Sequence, residues 1–180
     1  MKVYTRSGDD GTTGLLFGGR VSKDSPITRA CGAVDEAQAT LGLARALTER
    51  GSELDTVLTG IERDLYVAMA ELSTAQDNHH KLTDGTTKIT DEMVSALEEL
   101  IDAVTERFDP PTEFVIPGGT PVGAALDVAR TVVRRAEREV VGIVEPGAAP
   151  ARYLNRLSDA LWTLARWQEG ESLKARQPER

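Results

Sequence analysis

The stretch Thr5-Arg6-Ser7-Gly8-Asp9-Asp10-Gly11-Thr12-Thr13-Gly14, with Arg20 and Lys23 just beyond it, concentrates the residue types that bind anionic oxygens. Glycines at every third position permit bends that aim successive amides inward, and the hydroxyl and cationic side chains add further donors. Such a segment is a phosphate cradle in principle. It is not a Walker A loop, because no Gly-Lys-Ser/Thr ending follows at the required spacing. The plainer reading of the same residues is a flexible Gly/Thr/Asp arm.

A second group is Arg130-Thr131-Val132-Val133-Arg134-Arg135-Ala136-Glu137-Arg138. At helical pitch Arg130, Arg134 and Glu137 share a face, and Arg138 stands one turn beyond Arg134. Arginine suits a triphosphate because its planar donors bond in pairs and keep their charge when partly desolvated. The competing reading is a solvated face stitched by Arg–Glu pairs. Asn155, Asp159 and Trp162 form a polar and aromatic stripe at spacings of four and three. There Asn155 can bond a nucleotide and Trp162 can pack on a planar ligand, or serve as core or interface.

Other candidates read more plainly. Phe114 lies in an apolar, strand-like segment, which makes it a core residue unless a cavity opens there. His79 and His80 are adjacent in a polar connection, so their side chains diverge and they make a poor metal pair. Cys31 reads as a small hydrophobe on a helix, without a neighbouring base to make it a nucleophile. Asp35 and Glu36 are surface charges, or Asp35 pairs with an arginine on a neighbouring chain.

The elements that must position these residues are helical. Ile27, Ala30, Val34, Ala37, Leu41 and Ala44 recur in steps of three and four, with Ser25 as cap and Pro26 in the first turn. Leu54, Leu58, Ile61, Leu65, Met69, Leu72 and Ala75 repeat the rhythm. Met93, Leu97, Ile101, Val104 and Phe108 mark a third helix, which Pro110-Pro111 terminates. Thr120-Pro121 opens a fourth, with Ala125, Ala129, Val132, Val133, Ala136 and Val140 inward, and Leu154, Leu157, Leu161 and Leu164 mark a fifth. The expected architecture is one all-α domain: an N-terminal loop or arm over 1–26, a five-helix bundle over 27–169, and a frayed tail over 170–180. Residues 77–90 read as a polar connection.

Bulk properties bound the function. The 180 residues suit one domain, and a formal charge of −8 disfavours a duplex-binding surface. A lone cysteine cannot form an internal disulfide, which fits a reducing compartment. Without a signal-like start or a spanning apolar run, the expectation is a cytoplasmic protein with neither nucleic-acid nor membrane partner.

Taken together, the motifs resemble those of the PduO-type ATP:cob(I)alamin adenosyltransferases. The blocks are the N-terminal stretch from Thr5 to Gly14 with Arg20-Val21-Ser22-Lys23-Asp24; Gly32-Ala33-Val34-Asp35-Glu36; Phe114-Val115-Ile116-Pro117-Gly118-Gly119; Arg130 to Glu137; and Tyr153-Leu154-Asn155-Arg156-Leu157-Ser158-Asp159. They occur in family order along nearly the whole chain. Arg6 stands where many relatives carry lysine, and Trp162 where phenylalanine is frequent.

The resemblance implies a five-helix bundle that forms a homotrimer with active sites between subunits. It implies that cob(I)alamin attacks the 5′ carbon of ATP, giving adenosylcobalamin and triphosphate, with Mg²⁺ on the nucleotide. It implies nucleotide contacts from Thr5, Arg6, Ser7, Gly8, Thr13, Gly14 and Lys23 of one subunit, completed by Arg134, Arg135, Ala136, Glu137, Arg138 and Asn155 from its neighbour. Arg130 would pair across the interface with Asp35, and Phe114 would crowd the lower face of the corrin. A flavin reductant and an adenosylcobalamin-dependent mutase are the expected partners. Alternatives are a carrier that delivers adenosylcobalamin, another ATP-dependent transferase, or a helical oligomerisation module.

Overall fold

Four of the five α-helices among the described residues begin on a hydroxyl side chain that accepts a hydrogen bond from the first turn: Ser25 from Thr28 N, Ser52 from Asp55 N, Thr90 from Met93 N and Thr120 from Gly123 N. Each cap satisfies an amide that the helix itself leaves without a partner. The computed structural model describes residues 3–176. Its helices are α1 (Pro26–Ala46), α2 (Glu53–Leu72), α3 (Asp91–Thr105), α4 (Pro121–Val141) and α5 (Ala149–Glu169).

α4 packs on both α1 and α5, α1 also packs on α2, and α3 covers α5. The spaced apolar positions form one core: Val34, Leu41, Leu58, Leu65, Leu126, Val133, Leu154, Leu157 and Leu161 are all fully buried. Each such side chain contributes about 1.5–3 kcal/mol by leaving water. The expected all-α five-helix bundle is the observed fold.

Three details differ from the sequence expectation. Within residues 3–26 the chain is more than a loop or an arm. β1 (Thr12–Gly14) and β2 (Arg20–Ser22) form an antiparallel hairpin with Thr13 opposite Val21. Its turn, where Phe17 adopts a left-handed φ of 62° beside Gly18 and Gly19, is tied to the end of α2 by Leu16 N donating to Ser73 O at 2.9 Å.

α3 stops at Thr105, short of the prolines, and Phe108 lies beyond it, packed on the core from a turn in which Arg107 N donates to Val104 O. The tail is not frayed where it can be described. β4 (Leu173–Lys174) pairs antiparallel with β3 (Val115–Ile116), because backbone groups at both segments find partners in each other. Met1, Lys2 and residues 177–180 lie outside the described residues. In the 77–90 connection a short 3-10 turn (Gln76–Lys81) holds both histidines on the surface, with His79 Nε2 3.1 Å from Thr74 O.

Candidate functional site

The N-terminal cradle is built around Arg20. Its Nη2 donates to Ser7 O at 2.7 Å and to Thr12 Oγ1 at 2.6 Å, so one guanidinium ties the loop from Ser7 to Thr12 onto β2. Asp10 accepts from Thr12 N at 2.9 Å and from the Thr12 hydroxyl at 2.8 Å; these bonds, more than the nearby Arg20 charge, hold its carboxyl below the usual aspartate value. Arg6 sits at a left-handed φ of 61°, and Thr5 Oγ1 bonds Ser7 Oγ at 2.7 Å.

Gly8 lies close under two neighbours. A Cβ there would stand 2.9 Å from Lys23 Nζ and 3.1 Å from Thr12 O. The ammonium of Lys23 therefore rests directly over the loop. Thr5, Arg6, Ser7, Gly14 and Lys23 are exposed, and Gly8 and Thr13 are half-buried.

The second half of α4 faces α5 and presents the arginine stripe. Arg134 is exposed, with Nη1 3.5 Å from Ser158 Oγ, and Arg138 Nη1 donates to Arg134 O at 3.0 Å. Neither pairs with a carboxylate among the described residues. Glu137, which could have paired with them, accepts instead from Asn155 Nδ2 at 2.9 Å. Asn155 Oδ1 in turn accepts from Arg156 Nη1 at 2.8 Å, so Asn155 is fixed from both sides. Arg135 forms an ion pair with Glu36 on α1. Ala136 is fully buried: its side chain seats α4 against the core and offers no surface to a ligand.

Both groups lie at the same end of the bundle. The hairpin is tied to the end of α2, and Thr74 there shares a small cavity with Ile27 at the start of α1 and Ile143 just past α4. Among the described residues no hydrogen bond or ion pair joins the hairpin to Arg134 or Arg138 within the chain. Asp35 is exposed on α1 and pairs with no cation among the described residues.

A third group surrounds an open cavity of about 360 Å³ lined by Phe114, Val115, Pro117, Arg130, Trp162 and Arg166, among others. Phe114 is 90% exposed at this cavity, so the core reading of that residue is corrected: β3 is too short and too close to the surface to bury it. Beneath lies a charge network that the sequence reading missed. Arg166, 1% exposed, donates to Asp127 Oδ2 at 2.5 Å and lies 3.0 Å from Glu169 Oε2, while Arg130 Nε donates to Asp127 Oδ1 at 2.9 Å. The available signal was an aspartate and an arginine placed on the apolar faces of α4 and α5.

Cys31 is packed against the core, and burial pushes its thiol up to about 11, so it stays protonated at neutral pH. Among the described residues no three His, Cys, Asp or Glu side chains gather into a metal cage. None of the helices described is long and apolar enough to cross a membrane.

This architecture is that of the PduO-type ATP:corrinoid adenosyltransferases. A phenylalanine-to-histidine variant of such an enzyme from Lactobacillus reuteri, solved in complex with cobalamin and ATP, superposes with a TM-score of 0.86 at 30% identity over 97% of both chains. Residues 3–168 match the family model described as cobalamin adenosyltransferase. The chain is 42% identical to the corrinoid adenosyltransferase of Mycobacterium bovis over 92% of its length and 87% of that protein. It is also 42% identical to the corrinoid adenosyltransferase of Citrobacter freundii, over 93% of its length and 95% of that protein. The chain belongs to the cobalamin adenosyltransferase family.

Proposed function

We propose that this protein transfers the 5′-deoxyadenosyl group of ATP to the cobalt of cob(I)alamin, giving adenosylcobalamin and triphosphate. Beyond family membership, the observation that carries this reading is the pairing of Glu137 with Asn155, which leaves Arg134 and Arg138 without carboxylate partners among the described residues. A stripe meant only for solvent would be expected to satisfy its arginines with its own glutamate.

The cobalt(I) electron pair forms the new bond to the 5′ carbon of ATP, and the bond from that carbon to the triphosphate oxygen breaks. No protein nucleophile or base is needed, which suits a protonated Cys31. The protein's tasks are to hold the reacting atoms in line and to stabilise charge on the departing triphosphate. In this reading the loop from Thr5 to Gly14 and Lys23 grip the nucleotide from one subunit. Arg134, Arg135, Arg138 and Asn155 close over the phosphates from the next subunit of a homotrimer, with Glu137 and Ala136 holding that face of α4 in place. Asp35, unpaired within the described chain, meets Arg130 across the same interface. Mg²⁺ would be held on the phosphates of ATP, where it would supply neutralising charge.

Phe114, held at the mouth of the open cavity, occupies the lower face of the corrin and keeps water or a base off cobalt, so that reduction to cobalt(I) becomes easier. A flavin-dependent reductant supplies the electron and a cytoplasmic mutase receives the product. Purified protein given ATP, Mg²⁺ and chemically reduced cobalamin is expected to form adenosylcobalamin and intact triphosphate in equal amounts. Release of orthophosphate or pyrophosphate instead would assign it to another class of ATP-dependent transferase.

A further inference from the structure

The segment carrying Phe114 is gripped by the end of the chain. Glu169, the last residue of α5, has a side chain that is 1% exposed. Its Oε1 accepts from Gly119 N at 2.9 Å and from Gly118 N at 3.2 Å, and its other oxygen faces Arg166 at 3.0 Å. The glycines make this approach possible. A Cβ on Gly119 would meet the Glu169 side chain at 3.2 Å, one on Gly123 would meet it at 2.8 Å, and Gly118 has a left-handed φ of 111°. Through Arg166 and Asp127 the same carboxylate is connected to Arg130 on α4.

The tail grips the other side of the segment. Ala175 N donates to Phe114 O at 2.8 Å, β4 pairs with β3, and Lys174 Nζ lies 3.1 Å from Glu113 Oε1. Phe114 thus presents a 90% exposed ring on a backbone fastened at its own carbonyl and again at Gly118 and Gly119. A large apolar side chain displayed on so constrained a backbone is suited to fixed placement against a ligand rather than to hinge motion.

We infer that Glu169 is a positioning residue for Phe114, acting with the tail strand to set how closely the ring approaches the corrin and hence whether cobalt loses its lower ligand. The inference rests on the lower-face reading of Phe114. It assigns to residues 169–175 a role in the reaction, although none of them need touch a substrate.

The test uses the full chain with Mg-ATP and cob(II)alamin, and reads the spectroscopic signature of four-coordinate cobalt(II) beside kcat and the KM for ATP. The variants are Phe114→Ala, Glu169→Gln and Ala175→Pro; the last removes the N–H that bonds Phe114 O and stiffens the tail strand, at an exposed position outside the five helices. Both clamp variants are expected to reduce the four-coordinate signal and lower kcat about tenfold, with the KM for ATP held within about twofold. A four-coordinate signal lost in Phe114→Ala but kept at the wild-type level in Ala175→Pro and in any folded Glu169→Gln would overturn the clamp while sparing the reading of Phe114. An unchanged signal in Phe114→Ala would overturn that reading and the inference with it.

Discussion

Asn155 on α5 donates to Glu137 on α4 at 2.9 Å, a cross-helix bond that decides what the neighbouring arginines are free to do. Glu137 stands one helical turn after Arg134 and directly before Arg138. Engaged by Asn155, it neutralises neither. Glu137→Ala is therefore expected to let Asn155 drift and to lower kcat/KM for ATP about tenfold. Glu137→Gln, whose amide oxygen still accepts, should retain more activity, and steady-state kinetics of the two variants checks the order.

Arg134→Ala is expected to cost on the order of 10²-fold in kcat, since a leaving triphosphate would lose a charged donor where its charge accumulates. Arg134→Lys keeps the charge but not the planar fork and should fall between the two. A wild-type rate for Arg134→Ala would remove this residue from the reaction.

At the cradle, an alanine Cβ on Gly8 would have to displace the Lys23 ammonium, which is the flexible partner in the contact, while Thr12 O at 3.1 Å resists. Gly8→Ala should fold normally and raise the KM for ATP roughly tenfold, a loss of about 1.4 kcal/mol. Titration of nucleotide binding alongside a thermal melt separates this from misfolding.

A structural prediction concerns Asp64, whose carboxylate accepts from the buried Tyr153 hydroxyl at 2.9 Å. Burial raises the Asp64 pKa above 3.8, with the Tyr153 bond opposing the shift only in part. The folded protein thus holds this proton to higher pH than the unfolded chain does. The corresponding stability is full below pH 3.8 and declines as pH rises through the raised value. Asp64→Asn, which cannot titrate, should lose that dependence: wild type is expected to gain on the variant as pH falls from neutrality toward 4. A Tm difference flat across that range would contradict the raised value.

The helices were legible because packing and local preference agree in them. Steps of three and four in Val34, Leu41, Leu58, Leu65, Leu154 and Leu161 coincide with the buried faces, and Ser25 and Thr120, read as helix starts, are caps. The two small sheets were not legible. Strands of two or three residues such as Leu173–Lys174 carry no alternation, and Leu173 and Lys174 take their register from Ile116 and Val115, in a segment far away along the chain. At the site, the cradle and the α4 stripe showed in their residue types, as a phosphate-binding reading beside those of a flexible arm and a solvated face. The Arg166–Asp127–Glu169 network did not, because it joins α4, α5 and the Gly118 loop through contacts that no local spacing encodes.

The central claim is that donors from two subunits converge on one triphosphate, and complementation between two inactive variants tests it most directly. Lys23→Ala disables the cradle and Arg134→Ala the arginine stripe. If the two come from different subunits, mixed trimers contain sites in which both are intact, about a quarter of all interfaces for random equal mixing in a closed ring. Adenosyltransferase activity of co-assembled variants is expected to rise toward that fraction of the wild-type rate. No gain over the separate variants, in trimers verified to be mixed, would place cradle and arginine on the same chain and contradict the account.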